Sequence, residues 1–145
     1  MRLTSLRMIA AGMAMGLVAC APTDGGGPPT DQEVVTVEVR MTDDLRFEPE
    51  TFTFQAGETV RFEITNAGAI VHEFLIGDVA AQEEFEEEMS AGDGMAHDSD
   101  SGVSVEPGQT ETFDYTFNQA AELLAGCHEP GHYDAGMVAT ITVEG

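Results

Sequence analysis

Short runs in which apolar and polar residues alternate recur along the chain after residue 33. A period of two residues predicts half-buried β-strands, because successive side chains on a strand point to opposite faces. Met137 shares the parity of Ala139 and Ile141, so its side chain is expected to face inward. We predict strands at six places, each marked by its apolar members: residues 35–39, 52–54, 60–64, 72–76, 113–117 and 137–143.

Several short strands separated by turn residues are typical of a two-sheet sandwich. We therefore predict an all-β fold, a Greek-key β-sandwich covering residues 34–145. The alternation breaks over residues 77–102, which we interpret as an insertion. Its first half, residues 78–89, is rich in Glu and Ala with Asp78 as a possible N-cap, and predicts a short acidic helix. The second half has the composition of a loop.

Three soft or borderline metal donors recur within the stretch GCHEPGHYDAGM, which ends at Met137. Four residues separate Cys127 from His132, and four separate His132 from Met137. A thiolate, an imidazole and a thioether together favour copper, whereas zinc normally takes four strong donors. His72, in an apolar run, is the best fourth donor by residue type. Two His, one Cys and one Met match a trigonal copper site with a long axial thioether, the kind that carries electrons.

At these residues the sequence resembles the cupredoxins, the small blue copper proteins that include plastocyanin and azurin. In that family one histidine lies well upstream, and the cysteine, the second histidine and the methionine share a loop between the last two strands. The resemblance implies one type 1 copper, bound by His72, Cys127, His132 and Met137, and the same Greek-key sandwich. Glu73 departs from the family, because many members carry Asn directly after the first histidine. The surroundings of the copper, and its redox potential, are therefore expected to differ.

His128, beside Cys127, is the nearest rival ligand. If Cys127 points into the site from a strand end, alternation sends His128 the other way, so we expect His128 to be exposed and unliganded. The alternative is a red-copper site in which Glu73 or His128 enters the coordination sphere. A second copper ion stays an open question for three donors of the insertion, whose loose spacing is a weak signal: Met89, Met95 and His97.

Residues 1–19 are predicted to be an export signal, with two arginines near the start and an apolar run too short for an ordinary membrane span. The sequence LVAC, which ends at Cys20, resembles the lipobox of bacterial lipoproteins, in which the cysteine is acylated and becomes the first residue. An ordinary secretory signal is the alternative. Either signal predicts a protein located outside the cytoplasm.

Residues 20–33 are predicted to form the lipidated cysteine and a flexible tether, because Gly and Pro dominate and apolar side chains are scarce. The chain has two cysteines, and we assign Cys20 to lipid and Cys127 to metal. No disulfide is therefore expected, although an extracytoplasmic compartment would permit one.

The chain is strongly acidic, with 27 Asp and Glu, no lysine and a formal net charge of −22. Such a surface excludes nucleic acid and repels anionic lipid, so contact with a membrane is expected only through the lipid anchor. It would attract a basic redox protein, such as a c-type cytochrome or a membrane oxidase or reductase. Adaptation to high salt is an equally good explanation of the acidity.

We therefore expect a monomeric, lipid-anchored electron carrier on the cell membrane, facing the periplasm or the outside. It is not expected to be an enzyme, because four protein ligands close the coordination sphere, whereas catalytic metals keep a position open. Copper storage or delivery is the alternative function. It would use the Met and His residues of the insertion as a docking site for the ion.

Overall fold

A computed structural model describes residues 34–90 and 100–145. The predicted export signal (1–19) and tether (20–33) lie outside these residues, as do residues 91–99 of the insertion. The described chain forms nine strands and one helix: β1 Val35–Thr42, β2 Arg46–Glu48, β3 Thr51–Gln55, β4 Thr59–Asn66, β5 His72–Gly77, α1 Val79–Ser90, β6 Gly102–Val105, β7 Thr110–Thr116, β8 Ala121–Gly126 and β9 Val138–Glu144. The predicted all-β class is confirmed.

The strands form two sheets that pack as a sandwich. One sheet has the order β2-β1-β4-β7 and the other has the order β3-β9-β8-β5-β6. Strand pairs are antiparallel except β1 with β4 and β3 with β9, which are parallel. The chain thus passes repeatedly from one sheet to the other, as the predicted Greek-key sandwich requires. Because β5 and β8 are antiparallel neighbours, the start of β5 and the end of β8 lie at the same end of their sheet.

The predicted alternation holds where a strand has one face in the core. On β4, Val60, Phe62 and Ile64 are fully buried, while Arg61 and Glu63 between them are exposed. The core contains an aromatic cluster in which the ring of Phe62 lies 5.3 Å from that of Phe74. Burying each such side chain contributes roughly 1.5–3 kcal/mol. This packing holds the two sheets together and makes the strand ends rigid supports for the loops.

Three strands were missed by the periodicity: β2, β6 and β8. The first has three residues and the second has four, which is too short for a pattern to appear. On β8 the alternation fails because residues of both parities are partly or fully buried. One face of this strand packs in the core, and α1 contacts the strand as well, through the side chain of Gln82.

The predicted acidic helix is confirmed as α1, and its cap is Asp78, whose Oδ1 accepts a hydrogen bond from the amide of Ala81 at 2.9 Å. The helix is fastened to the larger sheet by Gln82, which is fully buried. The Nε2 group of Gln82 donates to the carbonyls of Leu75 on β5 (3.0 Å) and Leu124 on β8 (3.1 Å). The helix approaches so closely that a Cβ at Gly77 would lie 2.7 Å from the Cβ of Ala81.

All three arginines of the described chain form salt bridges with carboxylates on the surface, between 2.6 and 3.1 Å long: Arg40 with Glu48, Arg46 with Glu50, and Arg61 with Asp114. These pairs are about half-exposed, so each contributes at most about 1 kcal/mol. They leave the remaining surface dominated by carboxylates. Among residues 34–90 and 100–145, no helix has the length and apolar character needed to cross a bilayer.

Candidate metal centre

Three of the four predicted ligands meet at one end of the sandwich. The ligand atoms of His72, Cys127 and His132 all lie within 4.8 Å of one another. The Sγ of Cys127 is 3.3 Å from Nδ1 of His132 and 3.9 Å from Nδ1 of His72. Both imidazoles therefore present Nδ1 to the sulfur. His72 and Cys127 are fully buried, whereas His132 is half-buried.

These residues meet because of where their strands begin and end. His72 is the first residue of β5, and Cys127 directly follows β8, which is its antiparallel neighbour. The residues from Cys127 to Met137 form the loop that joins β8 to β9, here called the ligand loop. The amide of Cys127 donates to the carbonyl of Met137 at 3.2 Å, which extends the pairing of β8 with β9 by one step. Both ends of the ligand loop are thus held by the sheet.

The ligand loop is also closed by hydrogen bonds of its own backbone. The amide of Met137 donates to the carbonyl of His132 at 3.0 Å, and the amide of His132 donates to the carbonyl of Glu129 at 2.9 Å. Gly131 and Gly136 have φ angles of 83° and 93°, which side-chain-bearing residues rarely adopt. The tight turns that bring His132 back over Cys127 therefore depend on glycine at these two positions.

The sulfur of Cys127 lies in an apolar environment with a few polar contacts. The backbone amide of Glu73 donates to Sγ at 3.3 Å. Burial raises the pKa of the thiol from its ordinary value of 9.0 to about 12, although the amides of Glu73 and Glu129 favour the thiolate. Without a metal, Cys127 is therefore a neutral thiol at physiological pH. A cation at this position would replace the proton and hold the thiolate.

Asp43 is a further residue of the site, and the sequence pattern did not reveal it. Its Oδ1 lies 3.4 Å from Nε2 of His72, on the side of the ring opposite the sulfur. Burial lowers the pKa of His72, and the amide of Ala69, which donates to the carboxylate, lowers the pKa of Asp43. The two residues are 29 positions apart. Such a distant pair leaves no local signal in a single sequence.

Met137 is fully buried, as its parity in the last predicted strand required. It packs in the core cluster, directly before β9. Its backbone is hydrogen-bonded to both other residues of the ligand loop that were predicted as ligands, Cys127 and His132. Its place as the axial ligand stays a prediction.

The prediction that His128 is exposed is wrong. The imidazole is fully buried, with Nε2 2.7 Å from Oε1 of Gln82 and Nδ1 2.9 Å from Oε2 of Glu86. The ring also stacks on Tyr133, with centroids 4.7 Å apart. The prediction failed because α1 covers the face that the strand pattern assigned to solvent, and both ring nitrogens face this helix. A Cβ at Gly126 would collide with Oε1 of Gln82.

Neither alternative ligand belongs to the group of converging donor atoms in the described chain. The nitrogens of His128 face α1, as described above. Glu73 is fully buried, and its backbone amide contacts the sulfur. Of the proposed second copper site, Met89 lies half-buried on α1, whereas Met95 and His97 are outside the described residues. That site stays a prediction.

The donor set fits copper. Two neutral imidazole nitrogens and one thiolate sulfur, with a buried thioether at the end of the same loop, are the ligands of a trigonal site with a weak axial sulfur. A hard cation would require oxygen donors, which the converging group lacks. The arrangement of His72, Cys127 and His132 is thus consistent with one type 1 copper site.

The fold and the donor set together define a small β-sandwich protein with a type 1 copper site, and comparison with known proteins gives the family. Residues 33–144 match the model of the copper-binding proteins of the plastocyanin/azurin family. The chain belongs to this family, which confirms the resemblance to cupredoxins. Copper is therefore the metal of the site.

Relatives in three bacteria are each described as a copper-resistant cuproprotein CopI. The protein of Pseudomonas aeruginosa is 34% identical, with 99% of this chain and 97% of the relative covered. The protein of Rubrivivax gelatinosus is 40% identical over 74% of this chain and 66% of its own length. The protein of Vibrio cholerae is 35% identical over 72% of this chain and 63% of its own length. The chain thus spans slightly less than two thirds of two of these relatives.

Solved structures with the same fold include two auracyanins. Reduced auracyanin from Roseiflexus castenholzii superposes with a TM-score of 0.67 at 23% identity, covering 77% of this chain and 98% of the auracyanin. Auracyanin A from Chloroflexus aurantiacus, a blue copper protein, gives a TM-score of 0.64 at 23% identity, covering 77% of this chain and 100% of the auracyanin. At this identity the likeness shows the fold alone.

The raised pKa of Cys127 predicts how the stability of the metal-free protein depends on pH. Below pH 9 the thiol is protonated in both the folded and the unfolded chain, so it contributes no pH dependence. Between about pH 9 and 12 only the unfolded chain loses this proton, so the free energy of unfolding should fall by up to about 1.4 kcal/mol per pH unit. Denaturant titrations of reduced, metal-free protein at pH 8 to 11 measure this slope.

The matched control for this prediction is Cys127→Ser, which lacks the thiol but retains both tyrosines whose pKa burial also raises, Tyr115 and Tyr133. The difference between the two proteins isolates the contribution of Cys127. Identical pH profiles for the wild type and the variant would contradict the prediction.

Proposed function

We propose that this protein exchanges single electrons with a redox partner outside the cytoplasm, through one type 1 copper bound by His72, Cys127, His132 and Met137. The observation that supports this most strongly is the convergence of three strong donors within 4.8 Å: His72 at the start of β5, and Cys127 and His132 on a loop held at both ends by the larger sheet. Copper supplies the one-electron couple, and the protein supplies a fixed set of ligands around it.

The surroundings of the ligands favour small movements when the charge of the site changes. His72 and Cys127 are enclosed by packed core residues, and the ligand loop is closed by its own hydrogen bonds. A well-packed interior resists displacement, so the ligands cannot adopt the two geometries that the two oxidation states would each prefer. Small displacement means a low reorganisation barrier. Full burial of Cys127 also keeps water away from the sulfur.

His132 provides the route for the electron to the surface. Of the three converging donors it is the one that is not fully buried. Four exposed residues near it in the ligand loop are small or apolar: Pro130, Gly131, Ala135 and Gly136. A partner that docks on this surface would approach the imidazole edge closely. We further propose that the protein is not an enzyme, because four ligands leave no position for a substrate.

Carboxylates beside the ligand loop favour a basic partner. Glu83, Glu86 and Glu87 on α1 and Asp134 in the ligand loop line an open depression of about 520 Å³ together with Tyr133. Such a cluster attracts cationic proteins over long distances and increases the rate of encounter more than the final affinity. A c-type cytochrome, or a membrane oxidase or reductase, would be a suitable partner. The protein itself is proposed to act as a monomer.

Copper handling is the second candidate function, and the relatives favour it. All three curated relatives are described as copper-resistant cuproproteins. Resistance could arise if the protein stored the ion or delivered it to an acceptor, using Met89, Met95 and His97 to dock it. The two candidates differ in what leaves the protein, an electron or the ion. They can therefore be separated by experiment.

The location is part of the proposal. An export signal over residues 1–19 and a lipobox that ends at Cys20 would place the mature chain on the outer side of the cytoplasmic membrane or in the periplasm. A tether over residues 20–33 would hold the copper domain a short distance from the lipid. The acidic domain, which anionic lipid repels, would then remain accessible to its partner.

The first prediction from this proposal concerns the ligands. Cys127→Ser should abolish the intense visible absorption of the Cu(II) protein, because that band arises from the bond between copper and a thiolate. Met137→Leu should keep the colour, because the axial thioether is only a weak ligand. It should raise the reduction potential, because the weak stabilisation that the thioether gives to Cu(II) is lost. Visible and EPR spectra with redox titration measure both effects. Met41→Leu, another buried methionine in the core, is the control and should change neither. Full colour in Cys127→Ser would refute the ligand set.

The second prediction distinguishes electron transfer from transfer of the copper ion. Stopped-flow mixing with a reduced basic cytochrome should show fast oxidation, which slows as added salt reduces the Debye length to about 10 Å and below. Glu87→Gln with Asp134→Asn should slow the reaction, whereas Glu38→Gln on β1 should not. A parallel assay follows copper transfer to a metal-free acceptor, before and after removal of residues 89–97. Slow electron exchange at every salt concentration, with rapid copper loss that depends on residues 89–97, would favour the second candidate.

The third prediction concerns the anchor. Cys20→Ser should move the protein from the detergent phase to the aqueous phase in a partition experiment, because the acylation site is lost. The control is Cys127→Ser, which removes the other cysteine and should leave the partition unchanged. Retention of the Cys20→Ser protein in the detergent phase would refute lipidation at this residue.

A further inference from the structure

The carboxylate of Asp43 is held beside His72 by contacts that do not involve the copper ligands. It lies in the turn between β1 and β2, and its Oδ2 and Oδ1 accept hydrogen bonds from the amide of Ala69 at 2.8 and 3.0 Å. A Cβ at Gly68 would collide with Oδ1, so the carboxylate fits only because this neighbour is glycine. The position of Asp43 is therefore built into the fold.

The segment between β4 and β5, which leads to His72, is fixed by contacts of Asn66 as well. Asn66 is fully buried, and its Nδ2 group donates to the carbonyls of Ile70 (2.8 Å) and Val105 (2.9 Å). Its Oδ1 accepts from the amide of Gly68 at 2.9 Å. The backbone amide of Ala69 is thus presented to Asp43 by a segment that cannot easily shift. The distance of 3.4 Å between the carboxylate and Nε2 of His72 follows from both sets of contacts.

The geometry determines which nitrogen of His72 can bind metal. An ionised carboxylate can only accept hydrogen bonds, so a hydrogen bond between Nε2 and Asp43 requires the proton to be on Nε2. Nδ1 then has a lone pair, and it is Nδ1 that faces the sulfur of Cys127 at 3.9 Å. The side chain of Asp43 is 46% exposed and so retains its charge at neutral pH. One imidazole ring separates this charge from the metal position.

We propose that Asp43 is a positioning residue for the copper site: its carboxylate fixes the Nε2–H tautomer of His72 and its negative charge favours Cu(II) over Cu(I). A carboxylate behind a histidine ligand fixes the orientation of the ring and makes the coordinating nitrogen more basic. A negative charge close to the metal also stabilises the ion of higher charge. This proposal depends on copper ligation by His72, which is part of the proposed function.

The tautomer can be tested in the metal-free protein, so this test does not depend on copper binding. Long-range ¹H–¹⁵N NMR spectra distinguish Nε2–H from Nδ1–H imidazole. In the wild type, His72 should be the Nε2–H tautomer. In Asp43→Ala both tautomers should be populated, because the acceptor that selects one of them is gone. Asp44→Ala, which changes the exposed neighbour in the same turn, should leave His72 as in the wild type.

The charge is tested in the copper-loaded protein with Asp43→Asn, which keeps an oxygen for the amide of Ala69 and for Nε2 of His72. The ratio of Cu(I) to Cu(II) affinity should rise about tenfold, which is the order of magnitude by which loss of a residue behind a ligand changes metal affinity. For one electron this corresponds to a potential higher by about 59 mV. Asp44→Asn should leave the ratio unchanged.

The two measurements also separate this proposal from a purely structural role. If Asp43 only held the segment at Ala69, its loss would lower the melting temperature without changing the tautomer or the affinity ratio. A wild-type tautomer in Asp43→Ala, or an unchanged ratio in Asp43→Asn, would overturn the proposal. If Asp43→Ala does not fold, the tautomer of His72 in the wild type and the affinity ratio in Asp43→Asn decide: an Nδ1–H tautomer or an unchanged ratio overturns the proposal. Failure of the protein to bind copper through His72 would refute the proposed function. The tautomer result would remain valid, because it is measured in the metal-free protein.

Discussion

Burial of the Cys127 sulfur at the junction of β5 and β8 is the constraint on which the rest of the structure depends. A thiol in this environment remains neutral because desolvation disfavours the thiolate, so a metal cation bound here has to replace the proton. The amide of Glu73, on β5, points at the sulfur and offsets part of this cost. Strand β5 therefore supplies both the ligand His72 and a hydrogen-bond donor to the other ligand, Cys127.

The site connects parts of the chain that lie far apart in the sequence. Asp43 follows a strand of the smaller sheet, His72 begins a strand of the larger one, and the ligand loop joins β8 to β9. Helix α1 adds a support from outside, because Gln82 binds the carbonyls of both β5 and β8 and the ring of His128. A change in the packing of either sheet would thus alter the spacing of the donors. Stability and ligand geometry are coupled for this reason.

The sequence predicted the features that have a local signal. Alternation located the strands with one buried face, Asp78 marked the start of α1, and the cysteine, histidine and methionine of the ligand loop identified the metal. His128 was predicted to be exposed because the strand pattern cannot show that α1 covers the face assigned to solvent. Asp43 was missed because its partners are 26 and 29 residues away. Contacts made by side chains across the sandwich leave no period that a single sequence can display.

The burial of the ligands has different consequences for electron exchange and for release of the copper ion. In the proposed electron transfer, the electron would reach the surface through the half-buried ring of His132 without any movement of the backbone. Release of the ion would require the bond to the fully buried Cys127 to break and the ligand loop to open against its own hydrogen bonds. A closed site of this kind therefore suits electron exchange and opposes rapid delivery of copper. If the ion itself is transferred, the thioether and imidazole donors of the insertion are chemically suited to it, because soft ligands favour Cu(I).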